Sequence, residues 1–178
     1  TPEFGEPDRS AAGDLDEQAE GVRERLIEAT RLRFERSDVP VGAYLSGGMD
    51  SGSIVALASR HAPRLQTFTA GFELSRVGGV EASFDERRPA ELMAYWFKTE
   101  HYEQVMNAGD IRWSLPRVVW HLEDLRLGMS YPNYYIARLA SKFVKVCLSG
   151  AGGDELFGGY PWRYYRVFRS LDKADFLE

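Results

Sequence analysis

Val39-Pro40-Val41-Gly42-Ala43-Tyr44-Leu45-Ser46-Gly47-Gly48-Met49-Asp50-Ser51 is the stretch on which the fold of this chain turns. Val39, Val41, Ala43 and Leu45 are apolar, with Tyr44 between them, and Pro40 and the glycines bound the run. A short run that is apolar almost throughout, without polar alternation, predicts a strand buried on both faces. The small residues Ser46 to Gly52 predict a tight turn, and Ile54, Val55, Leu57 and Ala58 then predict a helix ending near Pro63.

Working outward, the same alternation recurs. Before this unit, Asp14 followed by Glu17 reads as a capping box. Ala19, Val22, Leu26 and Ala29 recur at helical spacing behind it, so a helix is expected to about Arg36. Residues 1–13 hold only Phe4 as a large apolar side chain and are expected to be a linker or an expression remnant. After the unit, Leu65–Phe72 predicts a second strand and Ser75–Ser83 a loop. Asp85 is expected to cap a helix carrying Ala90, Leu92, Met93 and Phe97. His101–Val105 predicts a third strand, Asp110–Glu123 and Tyr131–Phe143 two helices, and Phe143–Leu148 a fourth strand.

Strands alternating with helices predict an α/β fold, a parallel twisted sheet with helices on both faces and right-handed crossovers. If the first strand is central and the chain later crosses to its other side, the strand around Val144 lies beside the strand around Val41. Their carboxyl ends then flank the crevice where open α/β sheets bind ligands.

The composition bounds what such a crevice serves. At about 150 residues per domain, 178 residues make one domain, long enough to bury a core without disulfide or metal staples. The hydrophobic fraction is 44% and the charged fraction 28%, which excludes global disorder. With 22 Lys+Arg against 27 Asp+Glu the net charge is −5, which argues against a general nucleic-acid binder, so any anion must be held locally. No apolar run approaches the roughly 18 residues of a membrane span, and no signal peptide is visible; the expectation is a cytoplasmic protein with no membrane partner.

Two loops carry the chemistry. In Ser46-Gly47-Gly48-Met49-Asp50-Ser51 the glycines are expected to allow positive φ and close approach to a ligand, so that successive N–H groups converge on an anion. The following helix N-terminus adds partial positive charge, and Ser46 and Ser51 add hydroxyls. Asp50 would repel a bare phosphate, so a divalent cation is expected between carboxylate and phosphate. The alternative is a plain strand-to-helix turn with Asp50 as its cap. The second loop, Ser149-Gly150-Ala151-Gly152-Gly153-Asp154-Glu155, again follows a predicted strand and places three glycines beside acids that could ligate the same metal. Gly158 and Gly159 read as a turn ending a short helical segment.

These residues resemble a known family. SGGMDS after VGAYL resembles the pyrophosphate-binding loop of the N-type ATP pyrophosphatases, and LSGAGGDELFGGY resembles the second signature of the glutamine-dependent asparagine synthetases. The resemblance runs from about Leu15 to Tyr165, and makes residues 14–178 an ATP-pyrophosphatase, or synthetase, domain. It implies ATP-dependent amide ligation: an aspartate side-chain carboxylate attacks the α-phosphorus of ATP, giving an acyl-adenylate and magnesium pyrophosphate, and ammonia displaces AMP. By this resemblance Ser46, Gly47, Gly48, Asp50 and Ser51 hold the pyrophosphate, and Asp50 and Asp154, the residues implied to carry the chemistry, ligate Mg²⁺. Tyr44, Ala70, Ser149 and Gly150 correspond to positions that contact adenosine, and Asp85 to an acidic position of the nucleotide site.

The chain departs from the pattern in three places. It begins with Thr1 rather than the nucleophilic cysteine of the family's glutaminase domain, so ammonia is expected from a glutaminase domain absent from this chain. Ala151 stands where many members carry Glu. The family's synthetase domain continues past the equivalent of Glu178 and there contributes a lysine, so the chain is expected to be a C-terminally truncated domain. Rival readings are another adenylating amidotransferase of the same fold, resembling β-lactam synthetase, and a nucleotide-binding module without turnover.

Other residues are read more plainly. Cys147 alternates with Val146 and Leu148, which predicts a small buried hydrophobe. His61, His101 and His121 lack metal-ligand spacing. His121 with Glu123 and Asp124 either lines an acceptor pocket or forms a solvated helix end. Tyr160, Trp162, Tyr164, Tyr165 and Phe168 interleave with arginines; packing on further chain, with homo-oligomerisation if exposed, is preferred over nucleic-acid stacking.

Overall fold

The computed structural model describes residues 14–73, 85–124 and 129–159. The expected linker over 1–13, the loop over 75–83 and the aromatic segment from Tyr160 lie outside them. The elements in chain order are α1 (Leu15–Glu35), β1 (Val41–Tyr44), α2 (Met49–Ala58), β2 (Gln66–Phe72), α3 (Arg87–Phe97), β3 (Glu100–Met106), α4 (Ala108–Leu122), α5 (Ser130–Ala140), β4 (Val146–Leu148) and α6 (Gly153–Phe157).

The four strands form one sheet in the order β3-β2-β1-β4. Every pairing is parallel, with Val41 opposite Val146 and Tyr44 opposite Phe68. The chain therefore adds β2 and β3 on one side of β1 and then crosses to the other side to lay down β4. That crossover puts the carboxyl ends of β1 and β4 next to each other, as the sequence pattern predicts.

Successive strand side chains point to opposite faces, so each face receives its own core. Ala43, Leu45 and Leu65 pack with Val55 and Ala58 of α2 and Ala90 and Ala94 of α3, with Phe34 of α1 against them. Phe68 turns to the other face, where it meets Ile136 and Ala140 of α5 and Val144, with Tyr44, Ala70 and Cys147 alongside. Phe68 is 1% exposed and packs within 5.8 Å of the rings of both Tyr102 and Phe143. Burying each large apolar side chain contributes about 1.5–3 kcal/mol, so both helix layers are held to the sheet chiefly by these contacts.

Several boundaries differ from expectation for local reasons. Asp14 is the N-cap of α1 but its side chain makes no capping hydrogen bond; Asp16 and Glu17 in the first turn supply the favourable negative charge instead. Asp85 does not cap α3, because Glu86 occupies that position. The capping box belongs to α4, which starts two residues earlier than Asp110 suggested. The Asn107 side chain accepts from Gly109 N–H at 2.9 Å, and the Asp110 carboxylate accepts from Asn107 N–H at 2.7 Å. β1 begins at Val41 rather than Val39. β4 begins at Val146 rather than Phe143, since Val144 N–H still donates to the Ala140 carbonyl at 2.9 Å and prolongs the end of α5.

Candidate active site at the carboxyl edge of the sheet

The two glycine loops meet. Asp154 N–H at the start of α6 donates to Asp50 Oδ2 at the start of α2 over 3.2 Å. The contact is close enough to dictate residue type. A Cβ on Gly150 would lie 2.5 Å from Ser51 N and 2.8 Å from Asp50 C, which are backbone atoms that cannot swing aside. Gly150 is therefore the position where one loop lies directly against the other.

The first loop is held by its own hydroxyls. Ser46 Oγ and Ser51 Oγ are 2.7 Å apart, Ser46 N–H donates to Ser51 Oγ at 3.0 Å, and Gly48 N–H donates to Ser46 Oγ at 3.2 Å. Ser51 is buried. These bonds fix the curvature of the turn before any ligand arrives, which is the preorganisation an anion cradle needs. The Thr69 hydroxyl donates to the Leu45 carbonyl and ties β2 to the start of the same turn. Neither Gly47 nor Gly48 adopts positive φ, contrary to expectation; among the described residues the glycines with positive φ are Gly152 at 111° and Gly158 at 71°. Gly47 serves packing instead, since its Cβ would lie 2.5 Å from the Pro89 ring of α3.

A cavity of about 560 Å³ opens between the loops. Tyr44, Ser46, Gly48, Asp50, Ser51, Ala70, Ser149, Gly150 and Asp154 all line it. Gly47 and Asp85 do not. Gly47 lies behind the turn against α3, and Asp85 is gripped by Arg87, whose Nη2 and Nε reach its carboxylate oxygens at 2.7 and 2.8 Å. The arginine holds the Asp85 carboxyl below the usual carboxylate range. The acid that reaches the cavity from this segment is Glu86. Sequence reading missed it because a one-residue difference in where α3 is capped decides which of the adjacent acids reaches the cavity.

Asp50 and Asp154 bring carboxylates from separate loops to the same cavity. Magnesium is commonly held by one or two carboxylates together with substrate phosphates, and the donor set here fits that pattern. Among the described residues no group of three or more His, Cys, Asp or Glu could hold a metal by itself, so an ion here would need ligand oxygens to complete its shell. Tyr44, which lines the cavity, and Cys147 pack against the same core cluster, and burial pushes the Cys147 thiol up to about 12. Cys147 is accordingly no nucleophile near neutral pH. His121 lines a second, neighbouring groove of about 850 Å³ between α4 and α5, which shares Met129 and Asn133 with the first; Glu123 and Asp124 are not among its lining residues.

Comparison with known proteins now bears on the geometry. The profile of the family described as asparagine synthase matches residues 21–177. A glutamine-hydrolysing asparagine synthetase of Bacillus subtilis is 39% identical over 146 residues, covering 82% of this chain and 22% of that protein. A Mycobacterium bovis protein that carries the same name provisionally is 42% identical over 153 residues, covering 85% of this chain and 22% of its own length.

The chain belongs to the asparagine synthase family.

This family member spans about a fifth of the length of those relatives. Among solved structures, an NMN synthetase from Francisella tularensis aligns at a TM-score of 0.48 with 12% identity, over 72% of this chain and 52% of that one. A likeness of that degree adds nothing to the assignment, which rests on the sequence relatives. Among the described residues of this family member, no helix is long and apolar enough to cross a membrane.

Proposed function

We propose that this chain is the ATP-using domain of an amide ligase, one that adenylates a carboxylate, with aspartate the preferred acceptor, for capture by ammonia. The observation that carries the reading is the single cavity walled by both glycine loops, with Asp50 and Asp154 in direct contact across it.

In this reading the triphosphate lies along the Ser46–Ser51 turn, where the N–H groups at the start of α2 lack intrahelical partners. Tyr44, Ala70, Ser149 and Gly150 flank the adenosine. Asp50 and Asp154 would hold Mg²⁺, which when bound supplies charge neutralisation to the departing pyrophosphate. The acceptor carboxylate oxygen attacks the α-phosphorus, and the bond to the β-phosphate oxygen breaks. Ammonia then attacks the acyl carbon and AMP departs. The turn's own dipoles point at the position where negative charge grows, and their preset hydrogen bonds mean little reorganisation is needed at that moment. Ammonia would come from a glutaminase domain, as the names of the relatives suggest.

The test is pyrophosphate release by the full-length protein. Dependence on both aspartate and ammonia supports the reading. Dependence on a different carboxylate transfers the case to a related adenylating amidotransferase, a reading that Ala151 in the cavity wall favours. Magnesium-dependent ATP binding without release under any of these conditions leaves a nucleotide-binding module.

A further inference from the structure

Gly158 and Gly159 close α6 side by side, yet they are glycine for different reasons. Gly158 has φ 71° and open space where a Cβ would stand, which makes it part of the left-handed cap of the helix. Gly159 is not in the left-handed region, so backbone conformation does not reserve it for glycine. A Cβ there would instead overlap Asp154 Oδ1 and lie 2.5 Å from Asp154 Cγ. Gly153, the first residue of α6, repeats the pattern. Its φ is not positive either, and its Cβ would overlap Asp50 Oδ2 and lie 2.7 Å from Oδ1. Each glycine thus leaves room for one carboxylate, and both of those acids line the cavity.

What obstructs the missing Cβ decides what each glycine is for. At Gly150 the nearest atoms are the backbone of Asp50 and Ser51, so that glycine lets the loops touch. At Gly153 all three nearest atoms belong to the Asp50 carboxylate. An added methyl group there turns the carboxylate to another rotamer and leaves the main chain in place. At Gly159 the nearest atoms are Oδ1, Cγ and Cβ of Asp154, so a methyl group displaces that whole side chain. Hydrogen bonding alone does not fix both groups. Asp50 Oδ2 accepts from Asp154 N–H at 3.2 Å, but among the described residues no hydrogen bond holds the Asp154 carboxylate. The close approach of the Gly159 backbone is what limits its direction.

We propose that Gly153 and Gly159 are positioning residues, which seat the Asp50 and Asp154 carboxylates for a shared magnesium ion. The inference rests on the reading above in which these two acids hold the metal of a nucleotide. Magnesium accepts only near-ideal octahedral geometry at about 2.0–2.1 Å, whereas calcium takes oxygen ligands at about 2.3–2.6 Å in flexible arrangements. Displacing a carboxylate therefore harms magnesium binding more than calcium binding, a difference that a general loss of stability does not produce.

The experiment measures ATP binding to the full-length protein by calorimetry with Mg²⁺, with Ca²⁺ and with EDTA, together with the urea midpoint of each variant. Gly153→Ala and Gly159→Ala are each expected to weaken Mg-ATP binding about 10- to 100-fold, the usual effect of disturbing the support of a metal ligand. Ca-ATP binding falls less, and metal-free binding is unchanged. Gly158→Ala, where backbone strain replaces collision, lowers the urea midpoint and leaves the ratio of magnesium to calcium affinity as in wild type. Unchanged Mg-ATP affinity in either Gly153→Ala or Gly159→Ala overturns the proposal for that residue, as does an equal loss with both ions. A Gly153→Ala urea midpoint below that of Asp50→Ala also overturns it, because the main chain has then yielded in place of the carboxylate. Asp50→Ala and Asp154→Ala that bind Mg-ATP as wild type does refute the metal reading itself, a failure distinct from the others because it is read from different variants.

Discussion

The main-chain N–H of Asp154 is hydrogen-bonded to the carboxylate of Asp50 at 3.2 Å, although 104 positions separate them in sequence. This one contact joins the start of α6 to the start of α2 and sets the width of the cleft between them. A hydrogen bond to a charged acceptor is worth about 1.5–3 kcal/mol, comparable with a sizeable part of a domain's net stability. It also leaves Asp50 with its second oxygen for a ligand.

Removing either acid should therefore weaken metal-dependent nucleotide binding. Asp50→Ala and Asp154→Ala are each expected to weaken Mg-ATP binding by about tenfold or more, measured by calorimetry with and without Mg²⁺. Asp50→Ala should in addition lower stability, because Asp154 N–H loses its acceptor. Unchanged affinity in both variants would remove the shared site.

The glycines separate into positions that tolerate a methyl group and positions that do not. Gly150→Ala forces a Cβ to 2.5 Å from Ser51 N and should destabilise by about 1–3 kcal/mol while spreading the two loops. Gly21→Ala, inside α1 with nothing within 4 Å of the new Cβ, should stabilise by about 0.5–1 kcal/mol. Denaturant titration of the two variants gives opposite signs if the loop contact is as described.

Cys147 offers a chemical probe of burial. Its thiol is pushed up to about 12 by desolvation, and the thiolate is the reactive form. Iodoacetamide at pH 8 should leave the native protein unmodified over hours and label it promptly in denaturant. Rapid labelling of the native state would show that the Tyr44–Cys147 layer under the cavity is open.

His101 on β3 should impose an acid-side loss of stability. Its Nδ1 pairs with the Thr67 hydroxyl at 3.0 Å, its Nε2 lies 3.6 Å from Glu103, and desolvation lowers its folded pKa below 6.5 despite the opposing charge of Glu91. The unfolded state then binds a proton that the native state resists, so stability falls as pH drops below 6.5 until the folded value is reached. Glu103 acts in the opposite sense. Its folded pKa is raised above 4.5 by burial and by Glu91, so it favours the folded state at low pH and loses that contribution as pH rises through the folded value. His101→Gln should flatten the slope of unfolding free energy below pH 6.5, measured by urea titration across pH; an unchanged slope would place the titration elsewhere.

Much of this architecture was legible in the residues. The apolar run through Ala43 and Leu45 announced a doubly buried strand, and the alternation of strands and helices announced a parallel sheet, because period and polarity are local properties. The two glycine loops were visible for the same reason. Element ends were less legible: Val144 continues the hydrogen bonding of α5, and Asn107 rather than Asp110 opens α4, since caps depend on which donors the fold leaves unsatisfied.

What the sequence by itself determined is the class of fold, the identity of both loops and the family, all of which follow from the order of residue types along the chain. What only the tertiary structure decided is which atoms face one another: that Gly150 lies on the Asp50–Ser51 backbone, that Gly47 yields to Pro89 rather than to positive φ, and that Glu86, not Asp85, reaches the cavity. Those outcomes depend on the sheet crossover and on the packing of α3, which set distances between residues far apart in the chain, and such distances are not encoded in any local pattern.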